Sequence, residues 1–411
     1  MKVVVFNLGC KVNQYECDCI IDYLKKLNYD VSSELEYADV YIVNTCAVTS
    51  EAERKSRQAI SRCKSFNKES KIFVIGCASQ YKPESFMKDG VIYIGGTNNK
   101  LEIVKHLQDN DLYKSPLILP KKYEPLSLTS TNRTRGYIKI QDGCNKFCSY
   151  CIIPFLRGRS HSRKIDDIVK EFDELSKLTN EIVLIGVDLM DFGADTNESL
   201  TDLFKELKNY NIRIRLGSLY AELIDEQFLD SVFSLKKFCP HFHLSLQSGD
   251  EDILRRMNRH YSVKEYSEKI SLIRKYDDLS GITTDVIVGF PTETDDQFNN
   301  TYKFLENNEF SDLHLFPYSK REGTLAAKLT QVDKEIVKER MKKLSELKTQ
   351  LEDNFIEKNL KRPQEILIEY KNDDNLYEGY SRNYIRLYTK YNQNLREINL
   401  LNKYKDGMIE I

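Results

Sequence analysis

Two series of short runs rich in Val, Ile, Leu, Tyr and Phe, each run followed by a longer polar stretch with helical spacing, constrain this chain more than any other feature. From residue 1 to about residue 99 the runs are KVVVFNLG, DVYIVNT, KIFVIG and VIYIGG, nearly continuous in strand-forming residues. Continuity of that kind marks strands buried on both faces. Helical stretches such as CIIDYLKKLN and SEAERKSRQAISRCKSF fall between them, which predicts an α/β, doubly wound parallel-sheet domain. The stretch LPKKYEPLSLTSTNRTRG, rich in Pro, Ser and Thr, reads as a linker. From Gly136 the alternation resumes with GYIKIQ, EIVLIGV, IRIRLGSL, HFHLSLQ, TTDVIVGF and SDLHLFPYS. These units span roughly 195 residues, short of the ~250 of a complete eight-unit barrel, so an open, partial (β/α)6 barrel is expected. A charged helical run around residues 330–361 then gives way to strand periodicity in RPQEILIEY and EGYSRNYIRLYTKY, which predicts a small carboxy-terminal β-barrel. The expected domains are residues 1–120, 130–350 and 355–411.

The chain has 411 residues, and no apolar run in it approaches the ~20 residues of a membrane span. The start MKVVVFNLG carries no basic region before its apolar stretch and reads as a first strand, so a cytoplasmic protein without a membrane association is expected. Ten cysteines in such a compartment point to ligands or redox groups, with no disulfide partner for any of them. The formal net charge of −2 argues neither for nor against a nucleic-acid partner.

Six of the cysteines fall into two constellations. Cys144, Cys148 and Cys151 form C-x3-C-x2-C directly after the strand GYIKIQ. Structural zinc sites close with four protein ligands, and no nearby Cys or well-spaced His completes this set. Three thiolates on an iron-sulfur cubane leave one iron open for a small molecule. A partial zinc knuckle is the competing reading. Cys10, Cys46 and Cys77 each end a strand of the amino-terminal series. Strand carboxyl ends share one edge of an open parallel sheet, so these three distant thiols are expected to converge; redox thiols are the alternative. Cys17, Cys19, Cys63 and Cys239 lack this placement and read as buried packing.

At this point the chain resembles the radical S-adenosylmethionine (SAM) superfamily, and within it the methylthiotransferases. The segments that carry the likeness are LGCKVNQYE, NTCAVTSEAERKSRQ, GCASQ, GCNKFCSYCIIPFLRGRS, HFHLSLQSGDEDILRRMNR, DVIVGFPTETDDQF and LFPYSKREGTLAAKL. The resemblance implies two 4Fe-4S clusters and SAM: Cys144, Cys148 and Cys151 for the cluster that chelates SAM, and Cys10, Cys46 and Cys77 for an auxiliary, sulfur-donating cluster. One electron cleaves SAM to a 5′-deoxyadenosyl radical, and an external electron donor is therefore required. LGCKVNQYE and EGYSRNYIRLY look most like the branch that thiomethylates C2 of N6-threonylcarbamoyladenosine at position 37 of tRNA, which makes the anticodon stem-loop the expected partner. The sibling branches act on isopentenyl-adenosine in tRNA or on a ribosomal-protein aspartate. A non-catalytic iron-sulfur RNA-binding or electron-transfer protein is the reading from another class.

The resemblance also nominates residues that contact SAM: Gly186 and Asp188 after the second barrel strand, Ser218 after the third, Gln247, and the backbone of Val288 and Gly289. In HFHLSLQ, the side chains of His241, His243, Ser245 and Gln247 share one face of the strand. An ordinary hydrogen-bonded role for the two histidines is equally open. Tyr220 and Ala221 stand where relatives usually have Glu-Pro, and GVDLMDFG also departs from the family pattern. For RNA, Tyr380, Arg382, Tyr384, Arg386, Tyr388 and Lys390 alternate as if on one strand face suited to stacking on unpaired bases. A solvated face of cross-strand Tyr and Arg pairs is the alternative. Arg157, Arg159 and Arg163 form a second group of possible phosphate contacts.

Overall fold

The computed structural model describes residues 1–131 and 133–411. Its amino-terminal sheet is wholly parallel, in the order β2-β1-β3-β4-β5-β6. β1 is Lys2–Asn7, β2 Asp30–Ser32, β3 Val40–Thr45, β4 Lys71–Gly76, β5 Val91–Ile94 and β6 Tyr113–Lys114. The four longer strands are those expected; β2 and β6 are short edge strands. Burial on both faces is the reason for their uninterrupted apolar character. Val3, Val5, Val40 and Ile42 pack into one core, while Val4, Tyr41 and Val43 pack into another on the opposite side.

Six parallel β/α units follow. β7 (Arg135–Lys139) pairs with β10 (Glu181–Ile185), and β10 with β11 (Arg213–Leu216). β12 (Ser218–Leu219), β13 (His241–Leu244), β14 (Gly281–Val288) and β15 (Asp312–Pro317) continue the wall. IRIRLGSL therefore supplies two strands, broken at Gly217, whose amide reaches Leu184 O at 2.8 Å. The two-residue strands β8 (Gln141–Asp142) and β9 (His161–Ser162) pair across the base of the cysteine loop. Capping boxes at Ser262 and Thr294 start the helices Val263–Tyr276 and Asp295–Asn307, satisfying amides that the first helical turn leaves free.

The segment read as a linker is instead a packed strap. Leu126 and Leu128 are buried in the barrel core together with Val12, Tyr15 and Cys19 of the helix Lys11–Lys26. Tyr15 Oη donates to Leu126 O at 2.9 Å, and the Leu128 amide donates to Glu171 at 2.9 Å. Two leucines among polar neighbours were too few to show a period. The long helix Lys334–Asn359 then sends Leu344, Leu347 and Leu351 into the same core.

At the carboxyl end, β16 (Gln364–Lys371), β17 (Tyr377–Tyr380), β18 (Arg386–Thr389), β19 (Arg396–Ile398), β20 (Leu401–Tyr404) and β21 (Gly407–Glu410) form a curled half-barrel sheet in the order β19-β16-β17-β18-β21-β20. EGYSRNYIRLYTKY is not one strand, as its alternation suggested. It is the antiparallel pair β17–β18, with a turn at Ser381–Ile385 in which Tyr384 has φ +74°. That turn enters the base of the barrel. Arg213 Nη2 donates to Ser381 O at 2.9 Å, and Arg382 Nε donates to Phe238 O at 3.0 Å. Beneath it the fully buried Glu181 pairs with Arg215 at 2.7 Å, Arg213 at 2.8 Å and Arg135 at 3.0 Å. No described helix is long and apolar enough to cross a membrane.

Glu181→Gln keeps the side-chain shape while leaving three buried guanidinium groups without their shared anion. The expected cost is about 3–5 kcal/mol, measured as a lowered urea midpoint of the full chain; an unchanged midpoint would show that the carbonyls of the carboxy-terminal turn suffice.

Candidate active site between two cysteine trios

Each amino-terminal cysteine sits where a strand stops. Cys10 precedes the helix Lys11–Lys26, Cys46 follows β3, and Cys77 opens the helix Cys77–Tyr81 after β4. Gly76 makes the last of these turns at φ +105°, and a Cβ there would fall 2.6 Å from Thr45 O, a conformation open to glycine. The three thiols line one cavity of about 550 Å³, so the convergence inferred from the strand ends is present. Burial, then the neighbouring Cys77 and Cys10, push the Cys46 thiol up to about 12. Cys10 alone of the three is exposed.

The second trio is held by its own loop and by the far wall of the barrel. Gly143, at φ +73°, lies so close to the returning chain that a Cβ would meet Arg159 O at 1.9 Å. The Cys144 amide donates to Gly158 O at 3.1 Å, and the Lys146 amide points at Cys144 Sγ from 3.4 Å. Asn258 Nδ2 lies 3.1 Å from Lys146 O and 3.2 Å from Phe147 O, and the Ser149 amide donates to Met257 O at 3.0 Å. These clamps come from LRRMNR, whose residues were not singled out from the sequence. A polar Asn after an apolar Met was the only mark. Cys144 and Cys148 are buried and Cys151 half-buried. Burial, then the neighbouring Cys148, pushes the Cys151 thiol up to about 12. Directly after the loop, Ile152 and Leu156 pack in one core with Ala47 and Cys77, which brings the end of the loop against the amino-terminal trio.

Between the trios lies a buried ionic network. Glu16 Oε1 is 3.0 Å from Arg157, 3.1 Å from Lys100 and 3.3 Å from Lys139. Asp142 pairs with Lys139 at 2.8 Å and Arg157 at 2.9 Å, and Glu124 with Lys100 at 3.4 Å. Burial opposes ionisation of Glu16, but Arg157, Lys100 and Lys139 outweigh it and hold the carboxyl at about 2. Arg157 is therefore not the phosphate contact proposed from the sequence: it is 2% exposed and also donates to Asn13 Oδ1 at 3.2 Å. Arg163 is likewise buried, on Glu171. Arg159 stays exposed, with its guanidinium 4.4 Å from the Phe147 ring.

Of the residues nominated for SAM, Gly186 and Ser218 line the cavity. Asp188 is buried, lies 3.6 Å from Cys144 Sγ, and its Oδ1 has no hydrogen-bond partner among the described residues. Burial and then Asp191 push its carboxyl up to about 6. On the other side of Tyr220, the buried Arg259 has Nε and Nη1 unpartnered among the described residues, with the guanidinium 4.7 Å from the ring. Lys146 Nζ lies 5.1 Å from the same ring. A carboxyl and a guanidinium, both short of partners near the cysteine loop, fit the ammonium and carboxylate of an amino acid bound at a cluster. Tyr220 thus has two cations, Lys146 and Arg259, beside its ring.

The remaining nominations fare differently. Gln247, at φ +75°, is knitted by its backbone to Asp285 and Ile287. The Val288 carbonyl accepts from the Tyr318 amide at 2.9 Å, and the Gly289 amide donates to Glu293 at 3.0 Å, so that amide is not free for an adenine. His241 and His243 share a face as inferred and line the cavity, with ring nitrogens 3.1 and 2.9 Å from Thr283 Oγ1.

The expected RNA face of the last domain is used internally. Tyr384 lines the cavity and stacks on His241 and Tyr380, both with centroids 4.8 Å apart. Arg382 holds Phe238 O, Arg386 pairs with Glu378 at 2.8 Å and Asp406 at 3.3 Å, and the buried Tyr388 donates to Asp406. The hairpin puts these side chains on different surfaces, which single-strand alternation could not show.

Residues 138–305 match the Radical SAM superfamily and residues 2–94 match the Uncharacterized protein family UPF0004. The chain is 34% identical over 410 residues to the threonylcarbamoyladenosine tRNA methylthiotransferase MtaB of Bacillus subtilis, covering 95% of this chain and 91% of that one. It is 37% identical to the protein of the same name from Aquifex aeolicus, over 87% and 90% of the two chains. A tRNA-2-methylthio-N(6)-dimethylallyladenosine synthase of Thermosipho africanus is 34% identical over 92% and 90%. Among solved structures, the radical S-adenosylmethionine methyltransferase TsrM of Kitasatospora setae shares the fold at TM-score 0.58 and 13% identity, over 79% of this chain and 77% of that one.

Exposure separates the amino-terminal thiols. In cluster-free, reduced protein under native conditions, Cys10 is expected to be alkylated by iodoacetamide well before Cys46 and Cys77, as read by peptide mass spectrometry over time; equal rates would contradict the buried placement of the latter two.

Proposed function

Since the chain belongs to the radical SAM methylthiotransferases, in the company of the threonylcarbamoyladenosine tRNA enzymes, we propose a division of labour for the two cysteine trios. It is an enzyme that methylthiolates N6-threonylcarbamoyladenosine in tRNA, at C2 of the base. The family uses a 4Fe-4S cluster and SAM, and Cys144, Cys148 and Cys151 would hold that cluster. Cys10, Cys46 and Cys77 would hold a second. When bound, these groups supply radical cleavage of SAM and the sulfur to be transferred, which an unactivated C–H bond requires.

The chain's own residues bind, orient and shield. Asp188 and Arg259 offer the opposite charges that the amino-acid end of SAM needs. Gly186 and Ser218 line the cavity, while Gln247, Val288 and Gly289, nominated with them, are held in backbone hydrogen bonds. Tyr384 and His241 close the cavity at the base of the barrel and keep water out. The observation that carries the reading is the cavity onto which the amino-terminal trio opens, whose lining includes Ile153, two residues after Cys151. A cavity of this kind suits one base lifted out of an unpaired loop, which favours the anticodon stem-loop at position 37 as the part of tRNA engaged. Arg159, exposed beside the cluster loop, is the phosphate contact among the predicted cations. The electron comes from an external donor, in a cytoplasm that keeps thiols reduced.

Nucleoside mass spectrometry of tRNA from cells lacking this protein tests the substrate. The methylthio form of threonylcarbamoyladenosine should disappear while that of isopentenyl-adenosine persists; the opposite pattern selects the sibling reaction. Anaerobically reconstituted protein should hold about eight irons, as two four-iron clusters require. Cys46→Ala should retain SAM cleavage but form no methylthio product, and product from that variant would overturn the division of labour.

A further inference from the structure

On the barrel wall of the same cavity, three adjacent strands present His243, Asp285 and His314 side by side. His243 Nε2 lies 3.3 Å from Asp285 Oδ2, and His314 Nδ1 lies 3.3 Å from Asp285 Oδ1. The two imidazoles stack with centroids 5.0 Å apart. One potential ligand atom from each residue lies within 4.8 Å of the other two.

The nitrogens facing away from Asp285 are both backed by oxygen. His243 Nδ1 is 2.9 Å from Thr283 Oγ1, and His314 Nε2 is 3.6 Å from Asp312 Oδ2. Asp312 is in turn paired with Lys348. Outer partners of this kind fix the tautomer and ring orientation of metal-ligating histidines. Two imidazoles and one carboxylate, with the remaining directions facing a cavity, make a donor set for a first-row divalent ion that keeps open positions.

We propose that His243, Asp285 and His314 bind a divalent transition-metal cation, and that its open positions take oxygen atoms of the modified base. The second half rests on the substrate reading above: a threonylcarbamoyl group offers a carboxylate, a hydroxyl and a carbonyl, and unmodified adenine offers none of them. The ion would thus act in substrate selection, separate from both cysteine trios.

Mn2+ is the probe, since it favours nitrogen and oxygen over thiolate donors and its free-ion resonance is lost on binding. Anaerobic holoenzyme with oxidised, EPR-silent clusters is titrated without RNA. One Mn2+ per chain is expected with a dissociation constant below about 100 µM, weakened at least tenfold by His314→Asn or Asp285→Asn. His314 is half-exposed and its variant is expected to fold, as circular dichroism would verify. No binding, or binding equal in both variants and the parent, overturns the site irrespective of the substrate. In a second arm, Mn2+ should tighten binding of an anticodon stem-loop bearing threonylcarbamoyladenosine at least tenfold and leave its unmodified counterpart unchanged. Equal effects on the two RNAs would overturn the selection role while the RNA-free titration still stands on its own.

Discussion

The structure turns on one buried ionic network. Glu16, Glu124 and Asp142 meet Lys100, Lys139 and Arg157, three carboxylates against three cations, with Glu16 and the cations buried and Glu124 and Asp142 at the margin. Taking such charges out of water costs several kcal/mol per ion, so the arrangement persists only when every member has its partners. Glu16 lies on the helix behind Cys10, while Asp142 and Arg157 bracket the loop of Cys144, Cys148 and Cys151. Two groups of thiols on two separate sheets are thereby held in a fixed relation. Radical transfer between bound groups tolerates little positional freedom, and a network that loses stability when any member moves supplies that rigidity.

A second set of charges does the corresponding work at the other end of the barrel. Glu181 gathers Arg135, Arg213 and Arg215, and these reach the carbonyls and rings of the carboxy-terminal turn. The small β module is consequently part of the active-site wall. Tyr384 shows this directly, stacked on His241 inside the cavity. Arginine suits the position because its planar fork can pair with a carboxylate and stack on an aromatic ring together. Of that hairpin, Arg382 and Arg386 are engaged within the protein, while Tyr384 faces the cavity.

Much of this architecture was legible beforehand. Apolar runs in β1, β3, β4 and β5 identified a parallel sheet because burial on two faces leaves no polar alternation to misread, and the barrel strands were found from the regular spacing of strand-like runs and helices. The cysteine at each strand end could be assigned to a common edge for the same topological reason. Reading failed where meaning depended on a partner distant in the chain. Arg157 and Arg163 look like ordinary basic residues until Glu16, Asp142 and Glu171 are seen beside them. Leu126 and Leu128 resemble stray leucines in a linker until the helix Lys11–Lys26 covers them. The turn at Ser381–Ile385 hid within a perfect alternation, since Tyr384 takes a left-handed backbone that no residue pattern announced.

By itself, the sequence determined the order of strands and helices, the grouping of six cysteines into two trios and the kinship with methylthiotransferases, because periodicity and spacing are local properties of the chain. Only the tertiary structure decided which charges are buried, that the end of the cysteine loop packs against the amino-terminal trio, that the last module reaches the barrel, and that His243, Asp285 and His314 stand together. Such facts arise from side chains many residues apart sharing one low-dielectric space, where the cost of leaving a charge unpaired selects the partners.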